Sequence, residues 1–403
     1  MTATFHAKTP EGRHTWGAVL AMALAAFALV ASEFMPVSLL TPIAADLQVS
    51  EGQAGQGIAV SGLFALFTSL LIASVAARVD RKRLLLSLTL LMIVSGTLVA
   101  FAPDYLSFMA GRALIGVAIG GFWSLSAATT LRLVPENQVP RALAIVNGGN
   151  ALATVIAAPL GSFLGSLIGW RGAFFCVVPV AAIAAVWLLV SLPPLKARPA
   201  AGTGNVFSLM KRMPVALGML AVSLFFMGQF MLFTYLRPFL ETVTQVQVST
   251  LSLMLLVIGL AGLAGTFLIE AFLKNALYRT LIIIPLMMAA IAMALVAFGA
   301  SVSITTVLLG LWGLVATAAP VAWWTWLTRT LPDDAEAGGG LMVAIIQLAI
   351  AAGATVGGLA FDRSGYQATF ELSAALLVVA AVLALLAARA ATRKSFRTSN
   401  VAA

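Results

Sequence analysis

Residues 16–40 read WGAVLAMALAAFALVASEFMPVSLL. About 20 apolar residues suffice to cross a bilayer as a helix. This stretch has that length, with one acid, Glu33, inside it. A carboxylate at such depth costs several kcal/mol unless it is neutralised, paired or facing water, so an intramembrane acid is a candidate functional group. The alternative is a neutral carboxyl that hydrogen-bonds between helices. The apolar core of a cleavable signal is shorter, roughly 7–15 residues, so the segment reads as a span.

The whole chain has the same character. Of its 403 residues, 61% are hydrophobic and 9% charged, against about 25% charged in soluble domains. The class is an all-α polytopic membrane protein. Cys176 stands alone, which excludes an internal disulfide framework and any cysteine-based zinc or iron–sulfur site. The two histidines, His6 and His14, precede the first span. No metal, cofactor or His-based catalytic set is expected in the membrane, and the chain does not read as an enzyme.

Twelve runs have spanning length: 16–40, 54–77, 84–102, 106–131, 142–166, 172–192, 214–236, 249–273, 280–300, 303–327, 340–361 and 369–391. The Pro/Gly-rich, basic stretch 193–213 divides them six and six. The expected organisation is a tail 1–15, a bundle 16–192, a linker 193–213, a bundle 214–391 and a tail 392–403. With the N-terminus inside, 19 Lys and Arg fall on the cytoplasmic side, while only Arg171, Arg237 and Arg363 fall outside. That asymmetry predicts both termini in the cytoplasm. The net charge of +9 then reflects topology and contact with anionic lipid, and no nucleic-acid partner is expected.

The halves resemble each other at an offset near 198. With Pro135 on Pro332, Arg132 falls on Arg329, Gly116 on Gly313 and Asn150 on Gln347. At offset 199, Gln48-Val49-Ser50 falls on Gln247-Val248-Ser249. Two six-span halves related by an axis along the membrane normal are the architecture of the major facilitator superfamily, with substrate near the midplane between them.

Motifs carry the resemblance further. Residues 73–83, ASVAARVDRKR, resemble the superfamily's loop signature between spans two and three, with Arg78, Asp80 and Arg81 as its conformational-switch charges. Gly111-Arg112-Ala113-Leu114-Ile115-Gly116 is similar to the span-four signature. Ala157-Ala158-Pro159-Leu160-Gly161 resembles the span-five motif of drug:proton antiporters in degenerate form. Glu33–Leu40, Gly121-Phe122-Trp123-Ser124 and Tyr235-Leu236-Arg237-Pro238 resemble bacterial inner-membrane purine ribonucleoside efflux pumps, with sugar efflux transporters next, which implies a place in a bacterial inner membrane. The resemblance implies a monomeric transporter of small molecules, driven by a proton gradient.

Glu33 and Arg112 each lie about six or seven residues from the outer ends of their expected spans. At about 1.5 Å per residue, both would sit roughly 10 Å below the outer surface. In the resembled fold, spans one and four line one cavity, so a Glu33–Arg112 pair, direct or through water, is the expected proton-coupling site. Amides are the expected substrate contacts, since they bind hydroxyls or purine edges without a charge. Asn147 and Asn150 share a helix face, Gln347 is the repeat counterpart of Asn150, and Gln229 lies in span seven. Trp123 is the expected stacking surface. Trp323, Trp324 and Trp326 read instead as an interfacial belt. The expected activity is proton-coupled efflux of small polar metabolites, purine ribonucleosides or sugars, by alternating access. A multidrug antiporter, a channel and a membrane receptor are the alternatives.

Overall fold

A computed structural model describes residues 12–196, 206–332 and 334–401. Their regular structure is helical. In order it comprises α1 Gly12–Leu47, α2 Glu51–Ala76, α3 Arg81–Ala100, α4 Tyr105–Leu133, α5 Val139–Phe175, α6 Val177–Ser191, α7 Met213–Thr234, a short α8 Leu236–Thr242, α9 Val248–Phe298, α10 Val302–Thr330 and α11 Ala335–Val401. Short 3-10 turns occupy Glu136–Gln138 and Val206–Lys211.

Among the described residues, ten stretches are long and apolar enough to cross a membrane. Two of them, Arg141–Ser191 with 51 residues and Gly338–Ala391 with 54, exceed twice a hydrocarbon core of about 30 Å. Each turns back at a glycine, Gly169 at φ 75° and Gly365 at φ 78°, where a side chain would be strained. The two bends bring the crossings to twelve. Phe267 and Leu106 are 75% and 79% exposed on the outer surface of the bundle; such apolar side chains suit hydrocarbon rather than water.

Several boundaries differ from those read in the sequence. α1 runs on to Leu47 because Ile43 and Ala44 remain buried apolar residues. Helical backbone in α11 continues to Val401, into the expected tail, and α1 begins at Gly12. His6 and residues 197–205 of the expected linker lie outside the described residues.

The duplication is visible in the backbone, with a corrected register. Gln48 and Gln245 are the described non-glycine residues at positive φ, 54° and 56°. Each lies just before a helix, α2 at Glu51 and α9 at Val248. Gln48 therefore corresponds to Gln245, not to Gln247. The Gln-Val-Ser triplet match was a coincidence of composition two residues out of step. Helix contacts obey the same register: Gly116 lies against the carbonyl of Ser61, and Gly313 against that of Ile258. A Cβ at either glycine would collide with that carbonyl, so the small residues set how closely the helices approach.

The hydrogen bonds that join the two halves, among the described residues, gather toward one end. Asp362 accepts from Ser50 Oγ at 2.5 Å and from Gly52 N at 3.0 Å. Its carboxylate thus sits at the N-terminus of α2, where free amides and the helix dipole favour negative charge. One turn deeper, Thr355 Oγ1 donates to Gln56 Oε1 at 3.0 Å. Arg237 donates to the main-chain oxygen of Ser38. This end lies opposite the basic loops that carry Arg78–Arg83, Arg132 and Arg329.

Candidate functional site

The site begins with two prolines in α1. A proline inside a helix has no N–H for the carbonyl four residues earlier. Pro36 therefore frees the oxygen of Ser32, and Pro42 that of Ser38. Arginines take up both. Arg112 Nη1 donates to Ser32 O at 2.8 Å, and Arg237 donates to Ser38 O. Arg112 is fully buried. Its Nε also reaches Gly57 O at 3.1 Å, and its Nη2 reaches Glu33 O at 3.2 Å and Ser61 Oγ at 3.3 Å. One guanidinium from α4 thus ties α1 to α2. Arg237 additionally pairs with Glu241, Nε to Oε1 at 2.8 Å.

This geometry corrects the direct form of the expected pair. Arg112 grips the main chain at Glu33, not its carboxylate, and among the described residues no ion pair joins the two side chains. Four of the guanidinium's five N–H groups go to the proline-freed carbonyl and its neighbours, and its charge acts on the acid through space. The Glu33 carboxyl faces the Gln347 side chain instead. The extension of α1 to Leu47 also places Glu33 near the middle of its helix, deeper than expected.

Glu33, Trp123, Asn147, Asn150, Trp324 and Gln347 line one cavity of about 540 Å³. α1, α4 and α5 supply its wall from the first half, and α7, α10 and α11 from the second. Asn147 Nδ2 donates to Leu143 O at 2.9 Å, which leaves its carbonyl oxygen for the cavity. The Asn150 amide bonds to no described residue, so its donors and acceptor are both open. Asn147 is exposed and Trp324 is 40% exposed, each a turn or two from the basic loops at Arg141 and Arg329. The cavity therefore opens toward the basic end, while the opposite end is closed by Asp362, Thr355 and Arg237.

Gln229 lies apart from this group. It lines an adjoining void of about 80 Å³ with Phe34, Thr154 and Thr317, and its Oε1 has no hydrogen-bond partner. Phe34 lines both spaces and stacks on Phe230 with ring centroids 5.8 Å apart. Under the corrected repeat, Glu33 corresponds to Phe230 and Arg112 to Leu309, both buried and apolar.

The tryptophans of α10 do not form a belt. Trp323 and Trp326 are buried against each other, with centroids 5.8 Å apart, and Trp324 is on the cavity wall. α10 faces the second bundle on one side and the cavity on the other, so neighbouring indoles divide between them. Arg78, Asp80 and Arg81 do not line the cavity. Asp80 caps α3, accepting from Lys82 N at 2.8 Å, and the Arg81 amide donates to Leu195 O at 3.1 Å. Phe34, Arg237 and Asp362 were not foreseen as parts of the site or of its closure, and the sequence reads Trp324 as part of an interfacial belt ahead of a stacking role. A proline four residues after a candidate position was the available signal for the arginine contacts.

The family model described as Major Facilitator Superfamily matches residues 22–342. The chain belongs to the major facilitator superfamily. It is 62% identical over 386 residues to a Pseudomonas aeruginosa protein named transcription regulatory protein OpdE, covering 95% of this chain and 96% of that protein. It is 41% identical over 371 residues to the purine ribonucleoside efflux pump NepI of Salmonella paratyphi B, covering 92% of this chain and 94% of that protein. Among solved structures, a mutant of the nucleoside transporter NupG superposes with a TM-score of 0.77 at 14% identity, covering 93% of this chain and 99% of that one. A bacterial homologue of the human lysosomal transporter Spinster gives 0.75 at 16%, covering 94% and 98%. These structural likenesses show the fold. The family makes the chain a polytopic membrane transporter.

Proposed function

We propose that this transporter exports purine ribonucleosides, or sugars of similar hydrogen-bonding character, in exchange for protons. The observation that carries the reading is the cavity wall, where one carboxyl meets three amides and two indoles drawn from both halves. Amides suit purine edges and ribose hydroxyls, and indoles suit the face of a ring. The resemblance to NepI supports the nucleoside among possible cargoes. Glu33 carries the proton: hydration of the cavity favours its ionised form, and closure around it favours protonation. Arg112 positions the main chain beneath it. The charge asymmetry of the loops supports cytoplasmic termini in an inner membrane, so the described state opens inward. The transporter works as a monomer, and Arg78, Asp80 and Arg81 brace the loop that moves between states.

The test uses proteoliposomes with an imposed pH gradient and a radiolabelled purine ribonucleoside. Gradient-driven accumulation that a protonophore abolishes supports the reading. Flux indifferent to the gradient would sink proton coupling, and gradient-driven movement of unrelated apolar drugs in its place would favour a multidrug antiporter.

The name of the Pseudomonas aeruginosa relative motivates a second reading, in which cavity occupancy is sensed and gene expression follows. A transport-dead variant that still alters transcript levels on nucleoside addition would favour it. Loss of both effects together would favour transport alone.

A further inference from the structure

A second cavity lies away from the transport site, at the basic end of the second bundle. It measures about 650 Å³, and four cationic side chains, Arg212, Lys274, Arg279 and Arg329, converge on it. Each stands at a helix terminus. Arg212 caps the start of α7, and Arg329 lies in the last turn of α10. Lys274 and Arg279 flank the break in α9 at Ala276, where φ is −137° and ψ is 31°. That break brings two cations from one helix to the same wall.

Their partners are few. Arg212 pairs with Asp334 at 3.1 Å, and Arg329 Nη2 donates to Leu273 O at 3.2 Å. Lys274 and Arg279 bond to no described residue. Glu270, one turn before Lys274, is exposed and forms no ion pair with it among the described residues. The pocket thus holds an excess of positive charge with unused donors. The positive-inside rule asks only that cations lie on one side of the membrane; it does not require four to face one cavity. Like charges gathered in a concavity repel unless an anion shares it, and basic pockets between membrane helices suit phosphate headgroups.

We propose that this pocket binds a phosphate-bearing anion, held by Lys274 and Arg279 with Arg212 and Arg329 as flanking donors. A Lys and an Arg together suit a phosphate, the one as a point charge and the other as a planar fork. The lipid headgroup and the soluble phosphate share this chemistry, and the site is independent of the efflux reading.

The experiment uses the purified full-length chain in a neutral detergent. Thermal unfolding is followed while pyrophosphate, or vesicles of phosphatidylglycerol in phosphatidylcholine, are titrated at constant ionic strength. Chloride and pure phosphatidylcholine are the references. Saturable protection by either probe is expected. Protection by pyrophosphate identifies a soluble phosphate, and protection by the anionic vesicle alone identifies a headgroup. Lys274→Gln and Arg279→Gln should each weaken the half-saturating concentration about tenfold, as loss of a charge-assisted hydrogen bond does. Arg141→Gln, on the first bundle, should leave it unchanged. The conservative pair Lys274→Arg and Arg279→Lys keeps the charges and should retain binding, which carries the test if a glutamine variant fails to fold. Absence of saturable protection by both probes overturns the proposal, as does equal protection of the parent and the glutamine variants.

Discussion

Arg112 holds the main-chain oxygen of Ser32, the carbonyl that Pro36 leaves without a helical donor. A buried hydrogen-bonding group left unpaired costs about 1–3 kcal/mol. The proline and the arginine are therefore a matched pair, one opening the helix beside Glu33 and the other closing it.

This pairing predicts a coupled stability effect. Arg112→Gln should destabilise the fold by about 3 kcal/mol or more, since it breaks a buried charged network. Pro36→Ala restores the helical donor and should recover about 1 kcal/mol of that loss in the double variant. Denaturation of the four proteins in detergent measures the cycle, and additive effects would mean that the two residues act separately.

Glu33→Gln should abolish gradient-driven nucleoside accumulation while substrate exchange across proteoliposomes survives. The amide keeps the shape and the neighbour Gln347 but carries no exchangeable charge. Concentrative transport by the variant at parental rates would remove Glu33 from proton coupling.

Asn150→Ala and Gln347→Ala should each weaken nucleoside binding about fivefold, the equivalent of about 1 kcal/mol per hydrogen bond. Gln347 also faces Glu33, so its loss should shift the pH dependence of transport, whereas loss of Asn150 should not. Calorimetric titration and pH-rate profiles separate the two. Parental affinity in both variants would leave the aromatic wall, Trp123 and Trp324, as the binding surface.

Asp362→Asn weakens the latch at the α2 N-terminus and should favour opening at that end. With Cys176 replaced by Ser, a cysteine introduced by Ala59→Cys in α2 should react several-fold faster with a membrane-impermeant thiol reagent in the Asp362→Asn background. An unchanged rate would show that the Ser50–Asp362 contact does not hold this end closed.

The fold was legible because membrane helices are written in long apolar runs and sided charges. Glu33 stood out for the same reason, as a charge where none is cheap. The amide positions Asn150 and Gln347 followed from the repeat. Local pattern failed where contacts depend on which side of a helix faces inward. Trp324 sits between two buried tryptophans, and composition gives no sign that it alone turns to the cavity. The Arg112 contact was misread because charge complementarity suggested the carboxylate, whereas the stronger local demand came from a proline-freed carbonyl. Asp362 and Ser50 lie more than 300 positions apart, and their meeting depends on how two bundles dock.

The position of Glu33 has an electrical consequence. Phe230 occupies its place in the second half, so duplication of the fold did not duplicate the acid. Under the proposed exchange, with Glu33 as the single carrier, a neutral nucleoside would leave as one proton enters, and each turnover would move one positive charge inward. Such exchange is electrogenic: voltage contributes about 2.3 kcal/mol per elementary charge for each 100 mV. A cell whose pH difference has vanished could still drive such an exchange on membrane potential alone.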